Sequence, residues 1–475
     1  MKKLMIQSRS GLWSLLFGMA LLSGLIFAAT QDPTKPAQPK PQEEEEPVAL
    51  TERSKPVINT EQALEVTPDQ FANFRNPLVN ALGEVAVFGL HTLPGAANRS
   101  GQRLYLRTLD GNWQLILKNG EETHDAQVKL TELSKPFLSN RKEATFLSQF
   151  SSTKEKEPSP DPLIDPNDPA YNRPSAFTLG IFRKSADGVR MLLLSGGEVP
   201  NMPSTLTGLS NLTANEKGTT AFVGTYVEPD GRGLFYLTDD KLSIIVRSGQ
   251  KIGPNEASTF SEHYYPSDIN ERDEVAFLGR TGEKSGIFVA SPKGVEIVAM
   301  SGRLSPVKGA KYIGFGNRTP GINNKGETVF VGFFDGPEAG RGLFVKPAVG
   351  PARMVLRSGQ PVAGTTYNFT DFNSVGINDQ GDILFVASYG GRSRGIFLKT
   401  AKGIEPIALV NQPIPGGTRE EVYNHFTQPA FNSRGDVVFY SQWRTPETGI
   451  EVGVFWRDPK GEVKLLFKRG DLMPK

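Results

Sequence analysis

Residues 369–400 read FTDFNSVGINDQGDILFVASYGGRSRGIFLKT, and the order of parts in that stretch decides the fold. An apolar segment runs into Asn378, Asp379, Gln380 and Gly381, a second run, ILFVAS, follows at once, and a glycine-rich turn leads to Gly395, Ile396 and Phe397. Asn bonds readily to its own backbone two residues on, and Gly takes positive φ without steric cost. N-x-x-G between two apolar runs is therefore a tight turn joining two strands. A further run, EPIALV, closes the unit as a fourth strand.

The unit recurs along the chain. Aligned on the turn residue it falls at Asn80, Ser139, Asn215, Asn270, Asn323, Asn378 and Asn432. Three residues on stand Gly83, Gly218, Gly326, Gly381 and Gly435, with Lys142 and Asp273 in the other two units. The Gly-x-Phe triplet ends at Phe182, Phe235, Phe288, Phe344, Phe397 and Phe455, and Tyr105 takes its place in the first unit. Runs such as GEVAVFGL and GETVFVGFF carry apolar residues on both parities, so both faces of each strand need cover. Four strands per unit, a spacing of about 55 residues outside one insertion, and sevenfold recurrence predict an all-β fold, a seven-bladed β-propeller with four antiparallel strands per blade. A parallel β-helix has a shorter period, and a sandwich has no reason to recur seven times. Ring closure is the open point. The first unit starts on its inner strand near Phe71 and the last ends on its outer strand near Phe467, which leaves residues 57–66 as the segment to interlock them.

On these motifs the chain resembles the bacterial exported N-x-x-G-x-V-x-F tandem-repeat proteins, propellers without assigned function, from about residue 71 to the C-terminus. Its turn is also similar to that of TolB-type propeller repeats, through Asn378 to Gly381 and Asn432 to Gly435. Neither resemblance implies an active site, and a fold by itself does not imply a function.

Lys2, Lys3 and Arg9 precede an uncharged stretch, GLWSLLFGMALLSGLIFAA at 11–29. This charge order predicts export to the periplasm or cell envelope, or secretion if the segment is cleaved. As an apolar helix it would rise about 28 Å, close to a bilayer core of ~30 Å, so 1–29 reads as a signal peptide or as the sole membrane anchor. Residues 30–68 are rich in Pro, Gln, Lys and Glu and read as a disordered linker. The propeller is expected over 69–475, with an insertion in blade 2 at about 151–176.

The 475 residues include no Cys, so no disulfide or thiolate metal site can form. Basic and acidic residues, 53 and 51, nearly cancel without a basic patch, which argues against a nucleic-acid partner. No cofactor is expected, and the chain reads as a monomer. Gly391, Ser393 and Gly395 fit G-x-S-x-G, but here the motif joins two strands, whereas a hydrolase elbow joins a strand to a helix. Asp161, Asp165, Asn167 and Asp168 in the insertion supply oxygen ligands of the Ca²⁺ type without EF-hand spacing, so a solvated loop is the reading taken and no metal site is assigned.

Strand polarity places the connections between blades and those between second and third strands on one face, with the N-x-x-G turns on the other. His91, His124, His263 and His425 all map to the first face. Inner strands open there with Arg75, Tyr264, Tyr265, Arg318, Asp371, Asn373 and Gln428, which with His263 and His425 form the predicted ligand-binding set. The function read from this pattern is a noncatalytic interaction module for a protein or glycan. The alternative is a propeller hydrolase or lyase acting on a sugar or lactone, although the inner carboxylates Glu132 and Asp371 fall in blades that are not neighbours.

Overall fold

The computed structural model describes residues 70–474 apart from 94–95, 125–127, 153–177, 228, 239–240, 254–255, 262–263, 317 and 392. The expectations placed on 1–29, 30–68, a closing strand at 57–66, nearly all of the blade 2 insertion, and His263 lie outside the described residues. No helix among the described residues is long and apolar enough to cross a membrane.

Seven antiparallel sheets follow one another in chain order, each of four strands from innermost to outermost. Blade 6 shows the pattern whole: Phe369–Ile377, Ile383–Tyr389, Ser393–Thr400 and Gly403–Leu409. In blades 1, 2, 5 and 7 the inner strand is broken into two short pieces, as in Tyr312–Gly314 and Gly321–Ile322 of blade 5.

The recurring Phe residues form one cross-strand stack in each of blades 2 to 7, while in blade 1 Tyr105 faces Val87. The ring closing Gly-x-Phe lies on the Phe of the preceding strand, with centroids 5.3 Å apart in Phe277–Phe288 and Phe439–Phe455, and 5.5 Å in Phe385–Phe397. Such a pair contributes about 0.5–1.5 kcal/mol beyond its area. Between these two strands and the outer one the register shifts, so an outer-strand carbonyl leans in on the triplet's glycine. A Cβ on Gly342 would sit 3.0 Å from the Leu356 carbonyl, and one on Gly453 would sit 2.4 Å from that of Phe467. The glycine of the triplet answers to this approach, while the glycine of N-x-x-G supplies φ values of +79° to +95°.

The turn Asn does more than shape its own turn. Its Oδ1 accepts the N–H groups two and four residues on, as Asn323 does from Lys325 (3.1 Å) and Glu327 (2.9 Å). Its Nδ2 then donates to the backbone carbonyl of the same residue in the next blade. Asn215 reaches Asn270 (3.0 Å), Asn270 reaches Asn323 (3.0 Å), Asn323 reaches Asn378 (2.9 Å) and Asn378 reaches Asn432 (3.3 Å). Asn432 returns to Asn80 (2.9 Å), and Asn80 reaches Ser139 (3.4 Å). Only the rung from Ser139 to Asn215 lacks an amide to make it. These Asn residues are buried, so the ladder gives turn carbonyls that already accept the N–H three residues on a second donor where water does not reach.

Among the described residues no strand is exchanged between the ends of the ring: blade 1 draws its strands from 73–118 and blade 7 from 422–468. The last junction uses the backbone bond of the other six. Gly120 donates to Leu130, Gly196 to Leu206, Gly249 to Phe260, Gly302 to Tyr312, Gly359 to Phe369 and Asn411 to Tyr423. Gly470 likewise donates to Phe71 at 2.8 Å. Phe71, fully buried, then packs on Phe467 with centroids 4.9 Å apart, and Trp113 packs on the same ring at 4.7 Å.

Candidate functional site

Inner strands carry a bulge at one recurrent place, between Leu130 and Glu132, Leu206 and Gly208, Tyr312 and Gly314, Phe369 and Asp371, and Tyr423 and His425. A bulge leaves one residue out of the ladder and re-aims its neighbour. Seven residues before the turn position, it presents Glu132, Asp371 and His425 in blades 2, 6 and 7. Arg75 and Arg318 stand five before their own turns, in blades 1 and 5, and each reaches into the next blade.

Blades 5 and 6 make the denser junction. Arg318 Nη2 donates to Asp371 Oδ2 at 2.7 Å and to Asn373 Oδ1 at 3.3 Å. Arg341, at the start of the third strand Gly340–Lys346, holds the same Oδ2 at 2.9 Å. The other oxygen, Oδ1, accepts the Phe372 N–H at 2.8 Å. Both guanidinium groups lie over the Phe333 ring, 5.2 and 5.3 Å from its centroid. Burial pulls the Arg318 guanidinium below its usual pKa, and Asp371 works in the opposite sense. Arg318 Nε is buried with no partner among the described residues. Two cations against one carboxylate leave a net positive charge here.

The homologous junction of blades 1 and 2 is looser. Arg75 donates to the Leu133 carbonyl at 2.9 Å, stands 3.7 Å from Glu132, and lies over Phe88 at 5.3 Å.

Of the predicted set, Arg318, Asp371 and Asn373 come together, and Arg75 finds Glu132. His425 and Gln428 are exposed on blade 7, His425 across from Gln442. Tyr265 is half-buried against the core between blades 4 and 5. Tyr264 corrects the expectation of a mouth residue. It is 3% exposed in the core between blades 3 and 4, its ring 6.0 Å from Phe260 and 6.1 Å from Phe277. Tyr264 stands six residues before its turn, the place of the buried Leu209, Phe372 and Phe426, and shares their inward side.

The single-face grouping of histidines is also corrected. His91 is buried over Gly101 in a strand, and His124 contacts the Asp187 carbonyl in the hairpin turn between the third and fourth strands of blade 2, on the N-x-x-G side. The connection carrying His124 folds back along its blade, with Thr123 bridging Val189 and Glu121 paired with Lys184. Ser393 opens a strand of a β-hairpin, as its structural context required.

Arg341 was missed, although a signal existed: Arg precedes the Gly-x-Phe triplet at 232, 341 and 394. Two surface clefts lie away from this rim. One of about 530 Å³ separates residues 414–417 from the outer strand Val463–Lys468 beside Trp443. The other, about 600 Å³, lies between Glu84, Trp113 and Lys142 on the N-x-x-G side. Neither includes an inner-strand side chain, so convergence of polar groups, more than concavity, marks the rim.

Fold and rim together define a seven-bladed β-propeller with an Arg-rich inner-strand rim. The chain belongs to a family of unknown function (DUF7453), matched over residues 48–285 and again over 231–474. No curated protein matches it. Among solved structures it is similar to the propeller domain of the Trilobed protease from Pyrococcus furiosus, at 12% identity and a TM-score of 0.45, covering 85% of this chain and 100% of that one. A puromycin-hydrolyzing peptidase from Mycobacterium tuberculosis gives 12% and 0.45, covering 86% of this chain and 56% of the peptidase. The fucose-specific lectin from Aleuria aurantia gives 11% and 0.32, covering 74% and 100%. Identities this low and superpositions this loose carry no activity or ligand across.

Proposed function

We propose that this propeller is an exported, noncatalytic binding module that takes a protein or glycan on the rim where the inner strands begin. The observation that carries this reading is the convergence of Arg318, Arg341, Asp371 and Asn373 from two blades at one junction. Strands hold Arg341, Asp371 and Asn373, Arg318 stands between the two pieces of its inner strand, and polar side chains on such a frame are suited to recognition. The charge order ahead of residues 11–29 supports export, and those residues are the only membrane contact in this reading. Hydrolase or lyase chemistry fits less well. Each oxygen of Asp371 already accepts a hydrogen bond, and Glu132, the other inner carboxylate, faces Arg75 in a different part of the ring.

The test is a ligand found by pull-down or glycan array, followed by affinity measurements on Arg341→Ala, His425→Ala and Gln428→Ala. Lys325→Ala and Gln380→Ala, exposed on the N-x-x-G face, serve as controls. Rim variants should lose affinity and controls should keep it. The reverse pattern would place the binding face on the other side of the ring.

A further inference from the structure

The rim site already holds one carboxylate between two guanidinium groups, and the geometry of that grip indicates what else it accepts. Each guanidinium carries five N–H donors in a planar fork that matches a carboxylate. The acceptors found for the Arg318 and Arg341 side chains are Asp371 and Asn373, so most of their donors remain uncommitted among the described residues. Arg318 is 18% exposed and Asp371 20%, while Arg341 is 47% exposed and faces solvent. Arg341 is the more exposed of the two cations, so an incoming acidic group meets it first. Asn373 gives its Oδ1 to Arg318, which leaves its amide N–H groups for a neighbouring hydroxyl.

We propose that, at the rim assigned above and resting on that assignment, the Arg318–Arg341 pair receives the carboxylate of a sugar acid, with Asn373 donating to an adjacent ring hydroxyl. An incoming carboxylate matches the residual positive charge and supplies acceptors to a partly buried cation, the setting in which charge-assisted hydrogen bonds are strongest. A neutral sugar lacks that match, and a second positive charge is repelled.

The experiment is calorimetric titration of the full chain with trigalacturonate, its methyl ester and hexaglutamate. Trigalacturonate should bind, the methyl ester should not, and Arg341→Gln should weaken trigalacturonate by about tenfold or more, the loss of one hydrogen bond to a charged group. Asn373→Ala should weaken the sugar acid and leave the response to free acetate unchanged. Arg341 is half-exposed, so its variant should melt with the wild type even if Arg318→Gln fails to fold. Equal binding of ester and acid, undiminished affinity in Arg341→Gln, or no binding of trigalacturonate overturns the inference. Tighter binding of hexaglutamate overturns it in favour of an acidic peptide. If instead a neutral glycan binds and only His425→Ala and Gln428→Ala lose it, the rim reading stands and this assignment fails.

Discussion

Replacing Asn323 isolates what the turn ladder contributes. The side chain is 4% exposed. It accepts the N–H groups of Lys325 and Glu327 and donates to Glu327 Oε2 (2.8 Å) and to the Asn378 carbonyl in the next blade (2.9 Å). Asn323→Ala leaves the Glu327 N–H without its side-chain acceptor, at about 1–3 kcal/mol, and removes one of the two hydrogen bonds on the buried Asn378 carbonyl, which keeps the Gly381 N–H, at about 0.5–1.5 kcal/mol. The expected loss is about 3 kcal/mol. At a specific unfolding entropy of about 2.1 cal/mol/K per residue, a ring of roughly 400 residues would melt about 4 °C lower.

Asn323→Ser separates the two roles, because the structure contains that arrangement at Ser139. There Oγ accepts the N–H groups of Arg141 (3.2 Å) and Glu143 (3.1 Å) and no amide crosses to blade 3. The serine variant should keep the turn, lose the two bonds that the amide donates, to the Asn378 carbonyl and to Glu327 Oε2, and cost about 1–2 kcal/mol. Urea unfolding, with the midpoint and slope read together, measures both changes. A serine variant as stable as the wild type, beside a destabilised alanine variant, would show that the cross-blade bond contributes nothing and that only the turn matters.

Three further outcomes follow from the packing. Gly342→Ala brings a Cβ to 3.0 Å from the Leu356 carbonyl and 3.2 Å from the Phe344 ring, and should cost about 1–3 kcal/mol by chemical denaturation; a neutral result would show that the outer strand yields freely. Phe71→Ala should cost about 3–5 kcal/mol and raise hydrogen exchange first at the junction of blades 1 and 7; uniform loss of protection around the ring would contradict closure at that seam. Burial raises the pKa of Tyr236, Tyr312 and Tyr423 above the usual 10, so above pH 10 the unfolded chain releases protons that the folded one retains. Stability is then full below pH 10 and falls by about 1.4 kcal/mol per pH unit for each such group, and Tyr312→Phe with Tyr423→Phe should flatten the alkaline limb of a pH–stability curve, whereas an unchanged slope would refute the assignment.

The blade count, the strand order and the position of every N-x-x-G turn were legible in the sequence, because each is a local property repeated seven times. A turn needs its Asn and Gly within four residues, a doubly covered strand shows apolar residues on both parities, and repetition averages out lapses such as Ser139 and Lys142. Arg318, Asp371 and Asn373 could be named for a similar reason, lying at fixed offsets from their turns. What the sequence did not reveal depends on contacts between units. Tyr264 and His425 both fall near the start of an inner strand, yet Tyr264, six residues before its turn, is buried and His425, seven before, is exposed. Arg341 joins Asp371 only because neighbouring blades bring a third strand and an inner strand together, 30 residues apart in the chain. Closure was illegible for the same cause. The bond from Gly470 to Phe71 and the rung from Asn432 to Asn80 repeat local grammar, but only a closed ring brings the first and last units within reach of it.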